Sequence, residues 1–275
     1  MNTQGLARAA RLLLLPLLIL NFAPFAYSQA RPSVFLEDLT WTELRDEIGA
    51  GKTTIIVPIG GTEQNGPAMA LGKHNRRVKL LSERIALALG DAIIAPVIAY
   101  VPEGSISPPS GHMRFPGTIS VPEVAFEAIL EGSARSFKLH GFKDIVFLGD
   151  HGGTQADERT VTNTLNREWA SSNVRAHAVT QYYEAAQIDF GRILKDQGFT
   201  PSEIGTHAGL NDTSLMLALD PSLVREDRLS GGAKFGASDG VYGDPSKASA
   251  KLGMLGVDAI VSRTVAAIKA AVSQR

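Results

Sequence analysis

The feature that most limits the fold of this chain is a regular alternation of short apolar runs with segments of helical periodicity. The runs at residues 53–58 (TTIIVP), 92–98 and 145–148 are β-branched and apolar, as strands buried on both faces of a parallel sheet are. The remaining segments are predicted as helices at 78–89, 121–139, 155–170, 213–219 and 257–272, a strand at 174–180 and a loop at 231–245. This order predicts an α/β fold with helices on both faces of a mostly parallel sheet.

Composition narrows the class of partner. The chain has 275 residues, of which 44% are hydrophobic and 20% charged, which is typical of a globular protein. Its 27 Lys+Arg and 28 Asp+Glu give a net charge of -1, so no feature of the charge balance favours nucleic acid or an anionic membrane. We therefore expect a small-molecule substrate. Because the chain has no cysteine, a bound metal would need His, Asp or Glu as ligands.

The N-terminus differs from the rest of the chain. Two arginines precede an apolar run at residues 12–20 that is too short to span a bilayer comfortably, and small residues follow it. This pattern predicts a signal peptide at residues 1–30, cleaved after Ser28 or Ala30. The mature domain, residues 31–275, would then be exported to a periplasm-like compartment without stable membrane association. An uncleaved N-terminal anchor is the alternative.

Side chains suited to chemistry collect in loops that follow the predicted strands. Glu63 follows the first strand in a glycine-containing loop that continues to His74, and His151 follows the third strand within the run GDHGG. A later segment sets His207 and Asp212 five residues apart at the start of a predicted helix. Ligands of open α/β sheets bind beyond the carboxyl ends of the strands. Histidine and carboxylate donors gathered there suit a divalent metal.

Other polar residues have supporting interpretations. His112 lies in a proline-rich segment, residues 104–120, of the kind that covers a pocket. His112 and His207 are interpreted as groups that hold a substrate carbonyl or orient a ligating carboxylate. Asp150, next to His151, could act as a general base or form a hydrogen bond to the glycine turn.

Five segments, in order, resemble the motifs of the creatininase (creatinine amidohydrolase) family. They are EQNGP with LGKH at 63–74, FPGT at 115–118, DHGGT at 150–154, HAGLNDTS at 207–214 and GVYGDP at 240–245. The resemblance extends over nearly all of the mature sequence. It implies a three-layer α/β/α sandwich with a mostly parallel sheet, a homo-oligomer that is often a hexamer, and one or two divalent metals that activate water against an amide carbon.

Carried over residue by residue, the resemblance also implies a changed metal site. Glu63 and His151 match metal-ligand positions, and Asp212 matches the position of a ligating glutamate. Asn65 stands where the family has a ligating histidine, and His74 where it has an aspartate that bridges two metals. An amide is a weak ligand and a neutral imidazole offers one lone pair, so we expect a single metal held by some of Glu63, His74, His151 and Asp212. Zinc fits this donor set, as do manganese and iron.

Each of these residues also has a structural interpretation that the sequence leaves open. His151 could form a hydrogen bond within a buried loop, and Glu63 could pair with Arg76. His74 could be solvated or form a hydrogen bond at a helix start, and Asp212 could be a helix N-cap. The resemblance favours an exported hydrolase of a non-peptide or cyclic amide bond. The alternatives are a weakly active or inactive small-molecule binding protein of the periplasm, and a metallopeptidase or deformylase of the same family.

Overall fold

The core of the protein is a small parallel sheet. The computed structural model describes residues 33–230 and 234–274, and the signal peptide expected at residues 1–30 lies outside the described residues. The strands are β1 (Thr54–Ile59), β2 (Ala92–Ile94), β3 (Asp144–Gly149) and β4 (Arg175–Ala178). They pair in parallel in the order β2-β1-β3-β4.

Helices precede, connect and follow the strands. The helices are α1 (Trp41–Gly49), α2 (Lys73–Leu89), α3 (Glu123–Leu139), α4 (Gln155–Glu168), α5 (Gln181–Glu184), α6 (Phe190–Asp196), α7 (Pro201–Ile204), α8 (Leu210–Leu219), α9 (Glu226–Ser230) and α10 (Ala250–Val272). Single 3-10 turns lie at Leu36–Asp38, Gly111–Arg114, Gly152–Thr154, Pro221–Leu223, Ala237–Asp239 and Pro245–Lys247, and a π-helical turn, Ala185–Asp189, joins α5 to α6. In the described part of the chain, no helix has the length and apolar character that a membrane span requires.

Two hydrophobic cores lie on opposite faces of the sheet. Alternate residues of β1 point to opposite faces, so Ile56 packs with Leu81 of α2 and Ile260 of α10, in one core. Ile55 packs in the other core, which includes Phe126 of α3. All of these side chains are fully buried. The three-layer α/β/α sandwich with a parallel central sheet is thus confirmed.

Several element boundaries differ from the sequence prediction. The strand expected at 92–98 ends at Ile94, and beyond it Ile98 makes only an isolated bridge. Helix α2 starts five residues before the predicted position 78, at Lys73, and α8 starts at Leu210 instead of 213. The first turns of both helices carry buried polar residues, which do not follow the apolar periodicity used for prediction.

The strand order creates a crevice at one edge of the sheet. From β1 the chain moves outward to β2 and then crosses to β3 on the other side of β1, so the direction of winding reverses between β1 and β3. Such a switch point opens a crevice beyond the carboxyl ends of the two strands. Glu63 follows the end of β1, and Asp150 and His151 follow the end of β3, so their loops meet there.

Candidate metal centre

Glu63 lies at the centre of the crevice, and its side chain is 1% exposed. Its Oε1 atom is 2.6 Å from His74 Nε2 and 3.4 Å from Lys73 Nζ. Burial disfavours the ionised form, but the charges of Lys73 and His74 outweigh this effect and hold the pKa of Glu63 well below its usual range. The carboxylate is therefore ionised, and it connects two groups of residues that differ in how their charges are satisfied.

The first group is a ring of alternating charges around Glu63. Lys73 Nζ lies 3.2 Å from Asp212 Oδ2, and Arg77 Nη1 lies 2.6 Å from Asp212 Oδ1. Arg77 Nε donates to Asp150 at 2.9 Å, and Asp150 Oδ1 is 2.5 Å from His74 Nδ1. Since Lys73 and His74 both contact Glu63, the ring is closed. We call Lys73, His74, Arg77, Asp150 and Asp212 the salt-bridge ring.

The start of α2 supplies the basic members of this ring. Lys73 and Arg77 are four residues apart and therefore lie on one face of the helix, and His74 is next to Lys73. Positive charges at a helix N-terminus oppose the helix dipole. The acidic residues of the ring compensate, so three polar side chains can be buried in the first two turns of α2.

Asp150 is enclosed within the ring. Its carboxylate accepts hydrogen bonds from Arg77 and from the Tyr182 hydroxyl, the latter at 2.6 Å, and it contacts His74 Nδ1. Burial opposes ionisation, but Arg77 and His74 lower the pKa of Asp150 below its usual range. A carboxylate saturated in this way is a poor base, and it is not among the cavity-lining residues. The geometry favours Asp150 as a positioning residue for His74 over the general base considered from sequence.

Asp212 is also saturated. Besides Lys73 and Arg77, the backbone N–H of Ala208 donates to it at 2.9 Å. Burial raises its pKa, but both basic side chains lower it well below the usual range. The N-cap of α8 is Gly209, so Asp212 lies in the first turn and is not the cap. The structure therefore assigns the Asp212 carboxylate to its basic partners, and a metal-ligand role would require it to leave them.

The second group surrounds the other oxygen of Glu63. Glu63 Oε2 is 3.3 Å from His112 Nε2 and 3.5 Å from His151 Nε2, and it has no hydrogen-bond partner among the described residues. His151 Nε2 is 3.1 Å from Glu103 Oε2. Burial and the neighbouring Glu63 carboxylate raise the pKa of Glu103 to about 9. We call Glu103, His112, His151 and His207 the histidine cluster.

Gln64 fixes two of these imidazoles. Its Nε2 donates to His112 Nδ1 at 2.8 Å, so neutral His112 carries its proton on Nε2 and directs it towards Glu63. His207 Nε2 donates to the Gln64 backbone carbonyl at 2.9 Å, so its Nδ1 lone pair faces Glu63. Burial lowers the pKa of both rings, that of His207 to about 3. Both histidines are therefore neutral at neutral pH.

Two sets of side chains could hold a metal ion. One consists of Glu63, His74 and His151, the other of Glu63, His112 and His207, and in each set the ligand atoms lie within 4.8 Å of one another. In the second set, the proton on His112 Nε2 occupies the position that would face a metal. The hydrogen bond of 2.8 Å from Gln64 Nε2 to His112 Nδ1 keeps the proton on Nε2, and this disfavours the second set.

The first set fits a metal better. Asp150 contacts His74 at Nδ1, which leaves Nε2 directed at Glu63, the carboxylate–histidine arrangement common in metal sites. In His151, Nδ1 accepts a long hydrogen bond of 3.2 Å from the Gly153 N–H. When Nε2 binds a cation, the ring proton must be on Nδ1, so this hydrogen bond must break. The buried, unpartnered Oε2 of Glu63 also fits a cation.

A cavity of about 340 Å³ opens on both groups, at the lower end of the size range of small-molecule pockets. It is lined by Glu63, Lys73, His74, His112, His151, Gly152, Tyr183, Gln187, Thr206, His207, Asp212 and Tyr242. Asn65 is absent from this lining, and its Nδ2 donates to the Glu63 and Ala70 carbonyls instead. Its amide therefore fixes the loop after β1.

Sequence reasoning did not identify several residues of this site. Glu103 lies one residue before the loop that was singled out at 104–120, and nothing in its local sequence indicates that it is buried. Lys73 and Arg77 resemble solvent-exposed residues at a helix start. Gln64 is part of the EQNGP segment, so its position in a matched motif was the available signal.

Comparison with known proteins relates this site to a hydrolase family. The Creatininase family model, described as creatinine amidohydrolase, matches residues 37–268. The chain is 27% identical over 206 residues to creatinine amidohydrolase of Pseudomonas putida, covering 72% of this chain and 76% of that protein. It is 29% identical over 223 residues to the mycofactocin precursor peptide peptidase of Mycolicibacterium smegmatis, covering 72% and 77%. Both relatives are named as hydrolytic enzymes.

Solved structures agree on the fold. The structure named "Creatininase Mn" has a TM-score of 0.71 and 24% identity, covering 86% of this chain and 98% of that chain. A mutant creatininase of "Zn-Zn type" has a TM-score of 0.70 and 25% identity, with the same coverage.

Proposed function

The chain belongs to the creatininase family, and we propose that it is a hydrolase that cleaves an amide carbon–nitrogen bond of a small molecule at a single divalent metal ion. One observation carries this proposal: a buried, ionised glutamate, Glu63, has an oxygen without a hydrogen-bond partner and lies within ligand distance of His74 and His151 beside the cavity. When bound there, a divalent cation polarises a carbonyl and makes a water nucleophile available near neutral pH.

The protein groups have distinct roles in this proposal. Glu63, His74 and His151 hold the metal, and Asp150 orients His74. His112 directs an Nε2–H towards the same region and can donate to a substrate oxygen as negative charge develops. His207 also lines the cavity, and its Nδ1 lone pair can accept a hydrogen bond from a substrate N–H.

The chemistry of the site supports one metal. Asp212 is engaged by Lys73 and Arg77, and Asn65, which replaces a ligating histidine of the family, donates to backbone carbonyls, so neither position offers a free ligand for a second metal. Two imidazoles and a carboxylate suit zinc first, with manganese and iron as alternatives. Structural relatives described as Mn and Zn-Zn types support the first two metals.

A non-peptide or cyclic amide is the proposed substrate class. A polar cavity of about 340 Å³ accommodates a small molecule better than an extended chain. The second candidate is a peptidase that trims a short peptide, which is supported by the relative named as a mycofactocin precursor peptide peptidase. The third is a small-molecule binding protein without hydrolytic activity.

Cellular location and assembly are further parts of the proposal. The apolar N-terminal run after two arginines supports export with cleavage after Ser28 or Ala30. The family resemblance implies a homo-oligomer, which we also propose. N-terminal sequencing of protein from the periplasmic fraction and light scattering of the purified protein test these two points.

The test of the function combines metal analysis with hydrolysis assays. Wild type and His151→Ala are compared for metal content and for cleavage of cyclic amides, linear amides and short peptides. We expect one equivalent of metal and amide hydrolysis in wild type, and loss of both in His151→Ala. His140→Ala is the matched control, because His140 is an exposed histidine at the end of α3.

The contradicting outcomes are distinct. Two metal equivalents per chain would overturn the single-metal site, and none would overturn the metal itself. Metal without cleavage of any amide or peptide would favour the binding protein, and cleavage of peptides alone would favour the peptidase.

A further inference from the structure

Glu103 is a buried carboxyl group without the partners such a group normally has. Its side chain is fully buried, and neither oxygen has a hydrogen-bond partner among the described residues. Asp150, which is equally buried, is surrounded by the donors of three side chains, as buried carboxylates usually are. His151 Nε2 lies 3.1 Å from Glu103 Oε2.

The backbone around Glu103 holds the carboxylate in this position. Ser120 Oγ accepts a hydrogen bond from the Glu103 N–H at 3.0 Å and donates one to the Gly104 carbonyl at 2.8 Å. The backbone on either side of the Glu103 side chain is therefore held by Ser120. A Cβ at Gly61 would lie 2.7 Å from Glu103 Oε1, and Gly61 has φ +147. The carboxylate therefore packs directly against a glycine of the loop after β1, and this loop leads to Glu63.

The charges of the crevice leave room for a divalent cation. The crevice contains four carboxyl groups and, besides the histidines, two basic side chains. The carboxyl groups are those of Glu63, Glu103, Asp150 and Asp212, and the basic side chains are Lys73 and Arg77. Arg77 contacts Asp150 and Asp212, and Lys73 contacts Asp212 and Glu63, so Glu103 is the one of these four carboxyl groups that neither basic side chain contacts. Glu63 and Glu103 both lie within 3.5 Å of His151 Nε2, and two buried carboxyl groups side by side need a cation between them or a shared proton.

We propose that Glu103 is a ligand of the metal site, which it completes as a second carboxylate beside Glu63, His74 and His151. This inference rests on the proposed function, because it presupposes that the crevice binds a metal. Two carboxylates and two imidazoles form a four-ligand protein set for zinc or manganese, and the proposed hydrolysis would require one further position for water. No motif match indicated Glu103, so the ligand set of this chain differs from the one that the resemblance implies.

The experiment measures metal affinity directly. Zn²⁺ is titrated into metal-free wild type, Glu103→Gln and Glu158→Gln in competition with a chromophoric chelator. We expect Glu103→Gln to bind Zn²⁺ at least about tenfold more weakly, since even groups that only orient ligands cost this much when lost. Glu158→Gln is the matched control, because Glu158 is also buried with an unpartnered oxygen but bonds Thr154 instead of the site. It should bind Zn²⁺ within about twofold of wild type, as expected of a group outside the ligand set.

A second variant and a second measurement keep the inference testable if Glu103→Gln does not fold. Glu103→Asp keeps the charge and withdraws it by one methylene, so it should also weaken Zn²⁺ binding. The visible spectrum of the Co²⁺ form should change in both variants, because it responds to the ligand set. Equal Zn²⁺ affinities and equal Co²⁺ spectra for wild type and the Glu103 variants would overturn the inference and leave the proposed function intact. Wild type that binds neither metal would overturn both.

Discussion

The salt-bridge ring and the histidine cluster share Glu63 but satisfy charge in opposite ways. In the ring, each carboxylate faces a basic side chain, and the pKa values of Asp150 and Asp212 fall below their usual range. In the cluster, Glu103 forms no ion pair with a lysine or arginine among the described residues, and its pKa rises to about 9. Burial acts on both groups, so the partners account for the difference. The carboxylates on one side of Glu63 are compensated by basic side chains of the protein, and the carboxyl group on the other side, Glu103, is not.

This difference assigns separate tasks to the two groups. The ring holds the loops after β1 and β3 and the start of α8 together through Arg77 and Lys73, which is a structural task. The three histidines of the cluster line the cavity, and Glu103 contacts one of them, His151, which suits a binding task. Changes in the ring residues other than His74, which is also a proposed metal ligand, should therefore affect stability first, and changes in the cluster should affect metal binding or catalysis.

The largest effect is expected from removing a charge of the ring. Lys73→Met leaves Glu63 and Asp212 buried without their ammonium partner, which should lower the free energy of unfolding by about 3–5 kcal/mol. Urea denaturation measures this loss. Lys247→Met is the control: Lys247 pairs with Glu203 at the surface, and its loss should cost at most about 1 kcal/mol. Equal losses in the two variants would remove the distinction between a buried ring and ordinary surface pairs.

A smaller effect, on catalysis, is expected in the cluster. His112→Ala removes the Nε2–H that faces Glu63 and the cavity, so kcat should fall by about 100-fold while metal content and the unfolding free energy stay close to wild type. Steady-state kinetics and metal analysis on the same sample check this. If His112→Ala lost its metal instead, the set of Glu63, His112 and His207 would be the metal site.

The smallest effect concerns a buried carboxyl outside both groups. Burial raises the pKa of Glu158 to about 8, from the usual 4.5 in an unfolded chain. Between these values only the unfolded state is ionised, so this residue lowers stability progressively as the pH rises from about 4.5 to 8. Glu158→Gln lacks this penalty and should be more stable by about 2 kcal/mol at pH 6 and equal to wild type near pH 4. Urea denaturation across this range measures the difference, and a pH-independent difference would contradict the assigned cause.

Much of the fold follows from local sequence. The run at residues 53–58 predicts β1 within one residue at each end, because a strand buried on both faces is apolar throughout. Helix starts are less accurate: α2, α8 and α10 begin five, three and seven residues before their predicted positions. At α8, Asp212 has the sequence pattern of an N-cap, but Gly209 caps the helix and Asp212 pairs with Lys73 and Arg77. Long-range pairing of this kind leaves no local periodicity.

The site shows the same limit. Glu63, His74, His112, His151 and His207 converge in the crevice, as expected for polar residues in loops at the carboxyl ends of strands. The roles assigned to them stay predictions. The sequence did not indicate their charged partners Lys73, Arg77 and Glu103, because these residues contact the site only when they are buried. Strand order and loop path determine which charges meet, and neither can be read from a single motif.

The most direct test of the single-metal site is an anomalous difference map from crystals soaked in Zn²⁺ and, separately, in Mn²⁺. The account predicts one peak per chain, within bonding distance of Glu63, His74, His151 and Glu103, with the Lys73 and Arg77 ion pairs intact. Two peaks, a peak bound by Asp212 or by His112 and His207, or no peak at saturating metal would contradict it.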